Sequence, residues 1–181
     1  MAARVYITGA AGSGSSTLGA VLAEHLQVPQ IDTDAFYWAP SDPPFTVKRD
    51  VGERLALIEA AKSPEGWVIS GSLDGWGESA LAGVDLIVFL TAPTPIRLAR
   101  LRKREAAIFG PRIRAGGDMQ ANHASFLKWA AGYDEPYFSG RSLTRHREWL
   151  AGRSEPVLEL SGTRPVDDLA AEVVRALRVK P

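Results

Sequence analysis

Ile7–Thr17 reads ITGAAGSGSST, with Gly9, Gly12 and Gly14 leading into the hydroxyls of Ser16 and Thr17. Glycines let backbone amides turn inward and let an anion approach without meeting a Cβ. The spacing is that of a loop that wraps phosphates, with Ser16 at the position whose hydroxyl ligates magnesium. On this reading Gly9, Ala10, Ala11, Gly12, Ser13, Gly14, Ser15, Ser16 and Thr17 form a nucleotide-binding stretch. One residue departs from the pattern: Ser15 stands where such a loop carries a lysine to the β- and γ-phosphates. Losing one charge-assisted hydrogen bond costs roughly 1.5–3 kcal/mol, so nucleotide binding survives it. Catalysis is more exposed, because a cation on a transferring phosphoryl group is worth about 10³–10⁵ in rate. Such a loop either keeps binding and loses chemistry, or takes its positive charge from elsewhere.

Several cations could supply that charge. Lys48 follows SDPPFTV, a segment stiffened by Pro43 and Pro44, and Arg49 beside it could hold an anionic group on an acceptor. Arg97, Arg100, Arg102, Lys103, Arg104, Arg112 and Arg114 crowd one stretch, opposed only by Glu105. Arg100 and Arg104 are four apart, hence on one helical face, and guanidinium forks suit phosphate oxygens. Arg97, Arg102 and Lys103 read as a solvated helix face. Arg141 and Arg145 share a second face and could complete a phosphate clamp. Tyr37, Trp38, Phe45 and Trp76 offer an aromatic wall for a planar acceptor, and packing in the core explains Trp38 equally well. His123 and His146 show no nucleophile, base or metal constellation around them.

The elements that must position these groups follow from apolar patterning. RVYIT (residues 4–8) is a buried strand, and Leu18, Val21, Leu22 and Leu26 recur at helical spacing over about 16–27. PQID forms a short strand, APSDPPF a rigid loop, and Val51, Leu55 and Ile58 mark a helix. GWVIS and VDLIVFL are strands, and a helix begins near Pro95. Residues 107–121 lack an apolar period and carry three glycines, which predicts a mobile flap. Its Arg112 and Arg114 could close over a nucleotide. Helices are expected at 123–131 and 142–151, then the strand PVLEL and a last helix marked by Val166, Leu169 and Val173. Alternating strands and helices imply a parallel sheet covered on both faces, with ligands beyond the carboxyl ends of the strands. There Thr8–Ser16, Asp32–Asp34, Ser70–Ser72 and residues 91–114 would gather.

Composition sets the bounds. A chain of 181 residues with 45% hydrophobic and 23% charged content fits one globular domain. Lysine plus arginine and aspartate plus glutamate both number 21, which argues against a general nucleic-acid binder. There is no cysteine, so disulfides and thiolate metal sites are excluded. No signal-peptide layout and no membrane-length apolar run is visible, so the expected setting is cytoplasmic, without a membrane partner. Oligomeric state is not legible.

The order of motifs resembles the nucleoside-monophosphate kinase group of P-loop proteins, adenylate kinase and shikimate kinase among them. GAAGSGSST opens the resemblance, IDTDAFYW resembles the second-strand end of shikimate kinase, and DLIVFLTAPTPIRLARLRKRE the strand and arginine helix before the lid. ELSGTRPVDDLAAEV resembles the adenine-side loop and last helix. The chain is also similar to bacterial adenylate-kinase-like ATPases whose loop lacks the lysine. The resemblance implies a three-layer α/β P-loop NTPase fold over residues 1–181, a five-stranded parallel sheet with helices on both faces and a small lid. It implies an acceptor-side region at about 33–65 and a lid at about 105–121. By this pattern Asp32 is an outer ligand of Mg²⁺ with Ser16, and Asp34 contacts the acceptor. A plain alternative is that both aspartates cap a turn or helix. Of Arg100 and Arg104, the pattern sets one against the adenine or phosphates and one against the transferring phosphoryl group, and Arg164 lies where relatives contact adenine. Read from the residues rather than from the resemblance, Gly71, Trp76, Trp38, Arg49, Arg141 and Arg145 are the expected acceptor contacts, with Ser70–Ser72 departing from the turn found in the relatives. The implied activity is ATP-dependent phosphoryl transfer to a small acceptor, a nucleoside monophosphate among those allowed, with Arg100, Arg104 and Asp32 as catalytic groups. Apart from the resemblance, the residues offer Lys48 or one of the lid arginines to neutralise the β/γ-phosphate oxygens. A nucleotide-binding module that transfers nothing, or a slow ATPase, is the alternative that Ser15 keeps open.

Overall fold

Strand β1 (Ala3–Gly9) leads through the glycine loop into α1 (Ser15–Leu26), and β2 (Gln30–Asp32), α2 (Thr33–Tyr37) and α3 (Val51–Ala61) follow. The chain continues through β3 (Gly66–Ser70), β4 (Leu86–Thr91), α4 (Thr94–Phe109), α5 (Gln120–Ala131) and α6 (Leu143–Ala151). It closes with β5 (Val157–Ser161) and α7 (Val166–Arg178). The computed structural model describes residues 3–178. Ala10–Ser13 and Thr91–Arg153 form one compact unit, and the rest of the described chain forms another. Among the described residues no helix is long and apolar enough to cross a membrane.

The larger unit holds the five-stranded parallel sheet, in the order β2-β3-β1-β4-β5, of a P-loop α/β fold with helices on both faces. Strand β1 is central, with Ile7 opposite Ser70 on one side and Val88 on the other. Its side chains alternate between faces. Val5, Ile7, Val88 and Leu90 pack with Leu18 and Leu22 of α1 and Leu169 and Val173 of α7 in one apolar cluster. Each such fully buried aliphatic chain contributes roughly 1.5–3 kcal/mol. Helix α7 carries Asp167 and Asp168 in its first turn and Arg175 and Arg178 in its last, each facing the favourable end of the helix dipole.

The carboxyl ends of these strands are tied by polar bonds. Gln30 Nε2 donates to the Ser16 carbonyl at 2.9 Å and to Ser70 Oγ at 3.1 Å, fixing the start of α1 to β2 and β3. Gly71, at φ 114°, brings its Cα so close that a Cβ would lie 2.1 Å from Thr33 Oγ1. That hydroxyl accepts the Ser72 amide at 3.0 Å. Replacing Gly71 with alanine should therefore destabilise the fold by about 2–3 kcal/mol, from positive-φ strain and the displaced hydrogen bond. The expected drop in thermal midpoint is roughly 5–10 °C by calorimetry; an unchanged midpoint would refute this account of the turn.

The smaller unit departs most from the sequence reading. Residues 107–121, read as lacking any apolar period, begin in regular structure: α4 runs to Phe109 and a 3-10 turn spans Gly110–Ile113, with turns from 114 to 119. Phe109 and Met119 are buried. The Met119 amide bonds the Arg112 carbonyl at 2.9 Å, and Arg112 pairs with Asp118 at 2.6 Å. Gly116, at φ 80°, and Gly117, packed against that same carbonyl, make the turn possible. The short α2 was not anticipated. Arg97, read as a solvated cation, is wholly buried, because α4 turns Arg97, Leu101, Glu105 and Phe109, spaced by four, to its inner side.

Candidate functional site

The loop after β1 adopts the conformations its glycines allow. Gly12 has φ 81° and Gly14 φ 106°, and Gly14 caps the start of α1 without any side-chain hydrogen bond. The Ser13 amide closes a tight turn onto the Ala10 carbonyl at 3.0 Å. A Cβ on Gly12 would stand 2.7 Å from the Arg97 carbonyl oxygen, so backbone meets backbone there. The hydroxyls of Thr8 and Ser13 are buried with no protein partner. Such orphan hydroxyls mark a site with hydrogen bonding left over. Ser15 and Ser16 are half-buried and Thr17 is exposed.

Two guanidinium groups of α4 meet this loop from within the smaller unit. Arg100 Nη1 donates to the Gly12 carbonyl at 3.3 Å and to the Ser13 carbonyl at 3.2 Å. Arg97 Nη1 donates to the Ala11 carbonyl at 3.4 Å. Arg104, exposed, lies 5.9 Å above the Phe126 ring, and Arg141 sits 5.3 Å over Trp129. Phe126 and Trp129 stack on each other at 5.9 Å, so one aromatic pair steadies both cations. The Arg145 amide is bonded by Ser142, which caps α6. Arg114 is exposed.

Two histidines read as incidental have defined partners in the same unit. His123 Nδ1 lies 2.7 Å from Glu105, and His146 Nδ1 lies 2.6 Å from the Tyr133 hydroxyl. Burial pushes the Tyr133 phenol well above its ordinary range, so it stays protonated as a hydrogen-bonding group.

In the larger unit Asp32 ends β2 and caps α2, its Oδ1 accepting the Asp34 amide at 3.1 Å. The capping role weighed from sequence is thus present for Asp32. Only one carboxylate oxygen is spent on it. Asp34, in the first turn of α2, is exposed. The Ser16 hydroxyl and the second Asp32 oxygen are the hard oxygen donors that magnesium prefers, so these residues fit a nucleotide-borne Mg²⁺. Among the described residues no cluster of three or more His, Asp or Glu could hold a metal by itself.

Residues 37–49 form a hairpin-like loop in which Trp38 and Lys48 bridge. Lys48 is exposed, with its ammonium 5.7 Å from the Tyr37 ring centre. Arg49 pairs with Glu53 at 3.2 Å, but its buried Nε has no partner. Arg54, not anticipated from sequence, is 6% exposed. Its guanidinium lies 3.9 Å from the Tyr37 ring and 5.2 Å from Trp76. Its Nε and Nη2 donate to the Arg49 carbonyl at 2.9 and 2.6 Å. Arg54 lies four residues before the buried Ile58, on the inward face of α3, where its charge masks the apolar period. Trp38 packs edge-on against Tyr37 and Phe45, and Arg164 pairs with Glu172 at 2.7 Å.

The AAA domain family matches residues 5–108. The uncharacterized protein YqaC of Bacillus subtilis (strain 168) is 39% identical over 175 residues, covering 96% of this chain and 97% of that protein. The shikimate kinase of Rhodopirellula baltica is 26% identical over 183 residues, covering 95% of this chain and 89% of that protein. Among solved structures, shikimate kinase from Aquifex aeolicus superposes with a TM-score of 0.54 at 17% identity, covering 97% of this chain and 96% of that one. At that identity the structural likeness speaks for the fold.

Proposed function

The chain belongs to the AAA domain family, in the P-loop kinase fold, and from that premise we propose that it transfers the γ-phosphoryl group of ATP to a small anionic acceptor. One observation carries the reading: a guanidinium, Arg100, rests on the Gly12 and Ser13 carbonyls of a phosphate loop that has no lysine of its own. Arg100 then neutralises the phosphate oxygens as charge shifts toward the leaving ADP. Loop amides and the start of α1 hold the β-phosphate. Ser16 and Asp32 would hold Mg²⁺, which would supply charge neutralisation to the nucleotide's phosphates. Asp34 orients the acceptor hydroxyl and receives its proton; the hydroxyl oxygen bonds to the γ-phosphorus as the bond to ADP breaks. Arg104, Arg141 and Arg145 complete the clamp, and Arg164 faces the adenine.

The anionic character of the acceptor rests on Arg49 and Arg54. Arg49 Nε is buried with no protein partner, which is costly unless a ligand satisfies it, and a carboxylate or phosphate does so best. Tyr37 and Trp76, already stacked on Arg54, fix the plane in which that anion is gripped.

A coupled ADP assay with Mg-ATP tests this against acceptors matched in shape but differing in charge: nucleoside monophosphates and hydroxy acids against nucleosides and neutral polyols. ADP should form with an anionic member and not with its neutral counterpart. Turnover confined to neutral acceptors would overturn the acceptor assignment. Ser15 favours one further reading, a module that binds ATP and transfers nothing; tight binding with no ADP across the panel would favour it.

A further inference from the structure

We infer that Arg97 is a positioning residue for the glycine loop, an inference that rests on reading residues 9–17 as the phosphate cradle. Arg97 has no exposure to solvent, yet all five of its N–H donors are used. Nε binds the Ala92 carbonyl at 3.0 Å. Nη1 binds the carbonyls of Ala11 and Ala130 at 3.4 and 3.1 Å. Nη2 binds Thr94 Oγ1 and Asp134 Oδ2, both at 2.8 Å. One buried fork thus joins the glycine loop, the end of α5 and the acidic residue beyond it.

Filling the core does not account for this residue. A buried cation carries a heavy desolvation cost, and a well-packed apolar chain of similar size is commonly as stable or better. Its one carboxylate partner, Asp134, is itself 42% exposed, which is weak compensation for a charge so deep. What an apolar chain could not do is hold the Ala11 carbonyl. The peptide joining Ala11 to Gly12 is trans, so pinning that carbonyl toward Arg97 aims the Gly12 amide the opposite way. With Arg100 on the next two carbonyls, three consecutive loop carbonyls face guanidinium groups of α4. The Arg97 main chain also touches Gly12 directly, which limits how far the loop can drift. Lysine could not reproduce the arrangement, since its donors radiate from a single atom and those of arginine spread over a plane.

The test compares full-length Arg97→Lys and Asp134→Asn with the parent by amide hydrogen exchange and by Mg-ATP calorimetry. In Arg97→Lys, exchange in peptides covering residues 9–14 should quicken by roughly tenfold or more, while peptides from β1 and α7 keep the parent rate. The Kd for Mg-ATP should rise by a similar factor. Asp134→Asn, which keeps the fork but removes its counter-charge, should produce the same loop-local pattern at a smaller, several-fold size. Unchanged loop exchange, or a uniform increase throughout the chain, would overturn the inference, the latter being what loss of a core filler produces. If Arg97→Lys fails to fold, Asp134→Asn and Thr94→Val decide on the same exchange criterion. A parent that does not bind Mg-ATP counts against the phosphate-cradle reading, while the exchange pattern still decides what Arg97 holds in place.

Discussion

Gly12→Val should weaken Mg-ATP binding by at least about 100-fold in a calorimetric titration, some 2.7 kcal/mol, with only a modest fall in thermal midpoint. Two costs coincide at this position. Its φ of 81° lies in the left-handed region, which costs an L-residue roughly 1–2 kcal/mol and a β-branched one more. The added Cβ would also stand 2.7 Å from the Arg97 carbonyl oxygen and 3.1 Å from its Cα, and neither is a flexible side-chain end. The loop must move away from α4, and the bonds from Arg97 and Arg100 to its carbonyls stretch or break. Each is a charge-assisted bond worth roughly 1.5–3 kcal/mol when intact. The strain stays in the loop because the apolar cluster beneath β1 involves other residues. Binding within threefold of the parent would show that the loop tolerates a side chain there and that the close approach is incidental.

The second large effect concerns rate. Arg100→Ala is expected to lower kcat by about 10³, with the Kd for ATP rising only about tenfold. That split is the signature of a group whose interaction strengthens as charge develops on the transferring phosphoryl group. Arg104→Ala, which removes a cation resting on Phe126, should lose no more than about tenfold. Lys48→Ala, whose ammonium sits against Tyr37, should lose less still. Single-turnover measurements on the three variants give the ranking directly. A rate lost in Lys48→Ala and kept in Arg100→Ala would reverse the assignment of the borrowed cation.

The parts of the fold legible in the sequence were those with continuous or strongly periodic apolar character. RVYIT, GWVIS and VDLIVFL are buried strands, and the glycine loop between strand and helix stood out because its spacing has one physical use. Short or charged elements were not legible. Helix α2 has five residues, too few to display a period. Arg97 and Glu105 occupy inward positions on α4, so an apolar count sees a weak stripe where the structure has a full one. Arg54 was hidden in the same manner on α3. Residues 107–121 hold their shape through backbone bonds and the Arg112–Asp118 pair, neither of which leaves a hydrophobic trace. Which cation touches the loop was likewise beyond spacing arguments, since Arg97 and Arg100 differ by one helical turn and only packing separates buried from exposed.

Strand β1 has a neighbour on either side, whereas β2 is a three-residue rim strand and β5 leaves most of its residues outward. Thermal loosening of a sheet starts at its margins and reaches the middle last. Gly9 therefore hangs from the firmest part of the larger unit, whereas Asp34 follows directly on one of its softest strands. Warming should blur the choice of acceptor before it loosens the grip on the donor, and evolutionary drift can retune the rim without disturbing the glycine loop.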